Sequence, residues 1–381
     1  MSTHVTGSPP EDDEIARVPQ RRKRRRLWWN TAGAAVALAG IVGALVLWAN
    51  SEQAQNLVRE RLVSQIQNVT GGRVEMRSFK WRLMQLEFDA RGIVIHGDEE
   101  PGEVPYAQVD DLRLKLSLLG LWSPRILLRD LEITRPRIHL IFYPDGATNQ
   151  PRPTKKPEAQ SSAMETLFKL QAGHVSLEQG LLDIDNRAAY LDVQNRYEPL
   201  DFRGNDVSVA MAYVPAAPGG QESYRIDAGV RDLTLARGGS LEKSVAPVHG
   251  YLQASADLMR DAVNLRSLRM TGATRGAPDR TLDVTGSLTH FARPEWRATF
   301  RGDLDLRLLD PVLGYPNAPQ GIARIDLESG GQNGQFRIDG TVRVDQGWYI
   351  QPGVVVRGVD LSTKVHADQN ELRISSIAAR L

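Results

Sequence analysis

The sequence predicts a mainly β protein: an N-terminal transmembrane helix and an amphipathic helix, then an elongated, curled, antiparallel-rich β-sheet. Three observations predict it. An uncharged run of 23 residues, Leu27–Ala49, stands near the start. From Arg73 onward the apolar period changes from 3.6 to 2 and stays there. Beyond that change, no helical pattern runs longer than two turns.

Composition narrows the field of functions. With 381 residues, 41% of them apolar, the chain can bury a sizeable core. Its 47 basic residues balance 46 acidic ones, which leaves no overall field to draw in nucleic acid. No cysteine is present, which removes disulfides, thiolate zinc sites and cysteine nucleophiles.

The elements follow in order. Residues 1–26 are a polar tail ending in a basic block, Arg21 to Arg26. As a helix, residues 27–49 span about 34 Å, enough to cross a hydrocarbon core of roughly 30 Å. Trp28, Trp29 and Trp48 flank the run at headgroup level. Arg24, Arg25 and Arg26 close a stretch with seven positive charges from Arg17 and no negative ones, whereas Asn50–Thr70 is balanced. By the positive-inside rule the expectation is a single-pass membrane anchor, uncleaved, with a cytoplasmic N-terminus and everything after Asn50 exported. Residues 50–70 read as an amphipathic helix with Ala54, Leu57, Val58, Leu62, Ile66 and Val69 on one stripe, ended by Gly71-Gly72.

Strands follow in residues 71–148 and 164–381, separated by a Pro-, Lys- and Ser-rich loop at 149–163 that reads as flexible. A short helix is expected over 164–171. The stretch LEITRPRIHLIFYPDGATN (131–149) is representative, with two short alternating strands that meet at Arg135-Pro136 and end in a Pro-Asp-Gly turn. Counted this way the chain holds roughly 20 strands. It stops just after one, which points to a longer protein or to an edge covered by a partner.

The sequence offers no recognisable reactive constellation. The seven histidines stand singly, and no nucleophile elbow or phosphate loop occurs. The acidic cluster around His96 (Asp98, Glu99, Glu100, Glu103) lacks the ligand order of a calcium loop and reads as a solvated turn. Asp183 and Asp185 share a strand face but read as surface charges. No catalytic, cofactor or metal site is expected.

An apolar sheet face must be covered, or curl around an apolar ligand. Each CH₂ left in water costs about 0.8 kcal/mol, so a greasy groove is itself a working surface for acyl chains. The expected groove residues are Leu112, Leu114, Leu116, Leu131, Ile133, Leu282, Val284, Leu304, Leu306, Phe336, Ile338, Val342 and Val344. The alternatives are a closed β-sandwich scaffold without lipid cargo and, from a third class, a periplasmic hydrolase.

The stretches GGRVEMRSFKW (71–81), residues 95–149 with Arg135-Pro136 ahead of Asp145 to Asn149, LQAGHVSLEQGLLDIDN (170–186) and LTHFARPEWRATFRGDLDLRLLD (288–310) resemble the AsmA-like family, TamB included. The resemblance implies an inner-membrane-anchored periplasmic β-groove that shields phospholipid acyl chains. It further implies lipid movement between membranes or work with outer-membrane assembly proteins, without a cofactor.

Overall fold

The computed structural model describes residues 51–117, 128–152, 161–187, 200–237, 248–273, 279–308, 319–351 and 353–380. The expected anchor at 27–49, with Trp28, Trp29, Trp48 and Arg24 to Arg26, lies outside them. Among the described residues no helix is long and apolar enough to cross a membrane. The chain divides after Ala54, and the unit Gln55–Leu381 carries the whole sheet.

Helix α1 (Glu52–Thr70) forms where the 3.6 period predicts it. Gly71, at φ 79°, bends the chain out of the helix and donates its N–H to Gln67 O at 2.8 Å. The buried stripe is narrower than the spacing implies. Val58, Val63 and Ile66 pack against Val74, Met76, Phe79, Ala90 and Ile93, while Leu57 and Leu62 are exposed.

The strands are β1 (Val74–Arg82), β2 (Glu87–Ile95), β3 (Ala107–Leu116), β4 (Leu128–Phe142) and β5 (His174–Asn186). Then come β6 (Leu200–Val214), β7 (Ser223–Arg237), β8 (Val248–Met259), β9 (Ala262–Ala273) and β10 (Arg280–Thr289). The last are β11 (Glu295–Asp305), β12 (Gln320–Gln332), β13 (Gln335–Gln351), β14 (Val354–Asp368) and β15 (Leu372–Arg380). All fifteen form one sheet in sequence order, open at β1 and β15. At about 4.8 Å per step, fourteen steps separate the edges by roughly 67 Å along the sheet.

Among the described residues fifteen long strands therefore stand where roughly 20 short ones were read from the sequence. The reason is local. Strand β4 runs straight through Arg135-Pro136, with Arg135 held at φ 49°. Pro136 cannot donate, and it falls where the β4–β5 ladder skips from Thr134–Glu178 to Arg137–Leu181. Likewise β5 and β13 absorb Gln179 (φ 56°) and Gln346 (φ 52°) at register shifts instead of turning back.

Every neighbouring pair is antiparallel except β4–β5, which is parallel. A parallel pair needs a crossover, and this one contains helix α2 (Ser161–Leu170). The crossover lays α2 against the sheet: Met164, Leu167 and Phe168 pack on Leu128, Tyr224, Leu131, Val175, Met211 and Ile226. Phe168 and Tyr224 are fully buried, with ring centroids 5.1 Å apart edge to face. Tyr224 Oη donates to Leu167 O (2.9 Å) and accepts Ala172 N–H (3.0 Å), so both polar groups at the end of α2 are satisfied inside the core.

The Pro-Asp-Gly turn has a physical purpose as well. Asn149, the first residue of the expected 149–163 loop, is fully buried. Its Oδ1 accepts Ile141 N–H (2.9 Å) and its Nδ2 donates to His139 O (2.8 Å), pinning the return chain to β4.

Candidate functional site

Residues paired across neighbouring strands point to the same side of a sheet. Following the register from β1 to β15 gives one row: Phe79, Ala90, Leu112, Ile133, Leu177, Val209, Ala228, Ala254, Leu268, Val284, Phe300, Leu327, Gly340, Val365 and Ile374. No member has a polar side chain. A second row lies two residues away on the same face: Trp81, Phe88, Leu114, Leu131, Val175, Met211, Ile226, Ala256, Leu265, Gly286, Ala298, Ser329, Ile338, Ala367 and Leu372. Its one hydroxyl, on Ser329, is turned back to Ala298 O at 3.2 Å. The apolar face thus crosses the whole sheet without a break.

The thirteen expected groove residues can be placed against these rows. Leu112, Ile133 and Val284 belong to the first, and Leu114, Leu131 and Ile338 to the second. Leu282 and Val342 lie in a further row through Gly302 and Ile325, and Leu304 and Val344 in one through Ala323. Phe336 faces Gly331 and, through it, Trp296. Leu116 pairs with Leu128. Leu306 is the exception. Strand β11 ends at Asp305, and Leu306–Leu308 make a 3₁₀ turn. Arg307 drives that break: its backbone N–H (3.0 Å) and guanidinium (2.6 Å) both grip the buried Asp305 carboxylate. Burial alone would raise the Asp305 pKa, but the Arg307 hydrogen bonds outweigh it and hold the group below the usual range.

Cover over the face is uneven. Helix α1 packs over β1–β3 and α2 over residues of β3–β8. Among the described residues no α-helix packs over β9–β15, where the 3₁₀ turn Leu306–Leu308 lies against β12 and buries Leu308. There Ile325, Ile338, Val342, Val344 and Val365 are half-buried, and Leu372, Ile374 and Ile377 on β15 are exposed.

Most of the charge lies on the opposite face. Arg113 bridges Asp89 (3.1 Å) and Glu132 (3.0 Å), Arg269 meets Asp283 (2.8 Å) and Arg301 meets Asp326 (3.0 Å). Exposed pairs of this kind are worth about 0.2–1 kcal/mol each, so they keep the outer face wet more than they hold the sheet together.

Several of the acidic groups singled out in the sequence have partners within the chain. Glu99 accepts Gly97 N–H (2.6 Å) and faces His96 Nδ1 (2.8 Å). Asp183 pairs with Arg203 and Asp185 with Arg187, each at 2.7 Å. Arg187 also reaches Glu103, whose other oxygen accepts the Tyr143 hydroxyl at 2.7 Å. Burial works to raise Glu103, but the Arg187 and Tyr143 hydrogen bonds win and its pKa is lowered. Burial and the same bond push Tyr143 up to about 12.

Two groupings escaped sequence reasoning. His366, Asp368 and Glu371 converge at the β14–β15 turn, a spacing of His-x-Asp-x-x-Glu that was legible in the chain. Their charges are spoken for: His366 Nδ1 meets Asp339 (2.7 Å), Asp368 takes the Asn370 and Glu371 N–H groups, and Arg373 holds Glu371 (2.8 Å). The other is Arg280, which shares the parity of Leu282 and Val284 and so stands on the apolar face.

Fold and face together define a class: a single open β-sheet with one continuous apolar side and one charged side. No protein-family model matches the chain, and no curated protein matches it. The AsmA-like resemblance rests on its four stretches of sequence alone.

Proposed function

We propose that this protein shields acyl chains on the apolar face of its sheet. In this reading it is a non-enzymatic protein, anchored in an inner membrane by residues 27–49 and exposed in the periplasm. It serves phospholipid movement between membranes or outer-membrane assembly. The observation that supports it is the pair of rows running across all fifteen strands with no charged side chain. Exposing a long acyl chain to water costs about 0.8 kcal/mol per CH₂, more than about 10 kcal/mol in all, and a continuous apolar path removes that barrier without a reactive group.

The scaffold alternative supposes a closed sandwich, whereas the described strands all belong to one open sheet. The test is native mass spectrometry with lipid extraction on the full chain, before and after detergent exchange. Stoichiometric phospholipid that survives exchange is expected. A monodisperse, stable, lipid-free protein would count against shielding and turn attention to protein partners.

A further inference from the structure

We propose that Arg280 and the hollow beside it hold the singly charged head group and first methylenes of an acyl amphiphile, a reading that rests on the shielding function above. Strand β10 opens with Arg280, and the alternation Arg280–Leu282–Val284 sets its side chain on the apolar face. Its pairing partner is Gly272, and beyond that Gly250. With two successive positions lacking side chains, the row opens into a hollow of about 260 Å³. Leu235, Val248, Met270, Leu282, Leu304 and Leu308 are among its walls. A Cβ built on Gly272 would meet nothing nearer than 3.9 Å, so the space is not filled by backbone.

Among the described residues this charge has no ion-pair partner, and Arg280 Nε is buried with no hydrogen-bond partner. A buried guanidinium donor left unmatched requires an explanation, and an oxyanion is the acceptor its fork fits. Asp305, which feels the Arg280 charge, is already engaged through both carboxylate oxygens by Arg307. Asp303 borders the hollow but has the parity of Arg301, which sets its side chain on the charged face. One guanidinium on an otherwise apolar wall fits a single negative charge best, either a fatty-acid carboxylate or a phosphodiester. The larger hollow ringed by Glu178, Asp227 and Arg231 lies among exposed charges and offers no such contrast.

The test is equilibrium binding of laurate, lauroyl lysophosphatidylglycerol and dodecanol to the full chain held in amphipol, with wild type, Arg280→Gln and Gly272→Val compared. A charge-assisted hydrogen bond predicts that at least one anionic probe binds wild type roughly tenfold or more tighter than dodecanol. Which anion shows the larger gain separates the free acid from the phosphodiester source. Arg280→Gln should erase the preference and leave dodecanol binding intact. Gly272→Val, which fills the hollow, should weaken all three probes together. Equal binding of anionic and neutral probes by wild type, or a preference that survives Arg280→Gln, overturns the head-group site while leaving shielding standing. Failure of all three probes to bind wild type overturns both.

Discussion

Removing one oxygen atom, by Tyr224→Phe, tests how α2 is closed onto the apolar face. The ring stays, so no cavity opens and the edge-to-face contact with Phe168 at 5.1 Å is kept. What is lost is the donor to Leu167 O at 2.9 Å and the acceptor for Ala172 N–H at 3.0 Å. Both sit under a fully buried side chain, beyond the reach of water. Each net hydrogen bond is worth about 1 kcal/mol, and stranding a buried N–H raises the cost, so the loss should be about 2–3 kcal/mol. Native-state hydrogen exchange reads this directly. Amides at the C-terminal end of α2 should exchange roughly 30- to 150-fold faster in the variant, with β12–β14 unchanged. An acceleration of under about threefold would refute the view that this hydroxyl fastens α2. Alkali gives the complementary check. Burial raises the Tyr224 pKa, against a smaller lowering by Ala172 N–H. Its stabilisation is therefore full below the unfolded value of about 10 and is lost as pH climbs through the higher folded value.

Other expectations follow from single residues. Asp201 is buried, with Oδ1 on Asn186 N–H and Oδ2 unpartnered, and burial raises its pKa further with Asp185 and Asp183 nearby. Asp201→Asn should raise the melting temperature at pH 7, and the gain should shrink as acid protonates the wild-type carboxyl. Glu103 has the opposite sign: its lowered folded pKa contributes stability above the unfolded value of about 4.3, lost as pH falls through the folded one. Thermal melts of wild type and Glu103→Gln should differ at pH 7 and converge in acid. Ile338→Ala, on the half-buried, helix-free part of the face, should cost under about 2 kcal/mol in urea titration, against about 3–5 kcal/mol for Phe168→Ala. Gly340→Val should disrupt β12–β13 pairing, because its Cβ would fall 2.1 Å from Asp326 O, and hydrogen exchange along β12 would report it.

Much of the face was legible before any coordinates. Alternation such as Leu112/Leu114 or Val342/Val344 fixes parity within a strand, and parity is all that is needed to sort side chains to one face. What alternation does not encode is where a strand ends. Arg135-Pro136 reads as the meeting point of two short strands, yet it holds one residue of left-handed backbone inside a longer strand, as Gln179 does in β5. Leu304/Leu306/Leu308 keeps the period, but the Asp305–Arg307 grip turns the chain after Leu304. The parallel β4–β5 pair was invisible because it depends on how a distant crossover returns, not on any local pattern. Arg280 was readable in principle, since its parity with Leu282 and Val284 sets a charge on the greasy face. Its significance needed Gly250 and Gly272 aligned beside it, which only the register supplies.

Site-specific photo-crosslinking along β13 tests shielding most directly. A photoreactive residue would be placed in turn at 338, 342 and 344, on the apolar face, and at 339, 341 and 343 on the other, in full-length protein expressed in a diderm bacterium whose phospholipids carry a radiolabel. The account predicts labelled lipid adducts at the even positions and none at the odd ones. Lipid adducts at neither set, or equally at both, would contradict it.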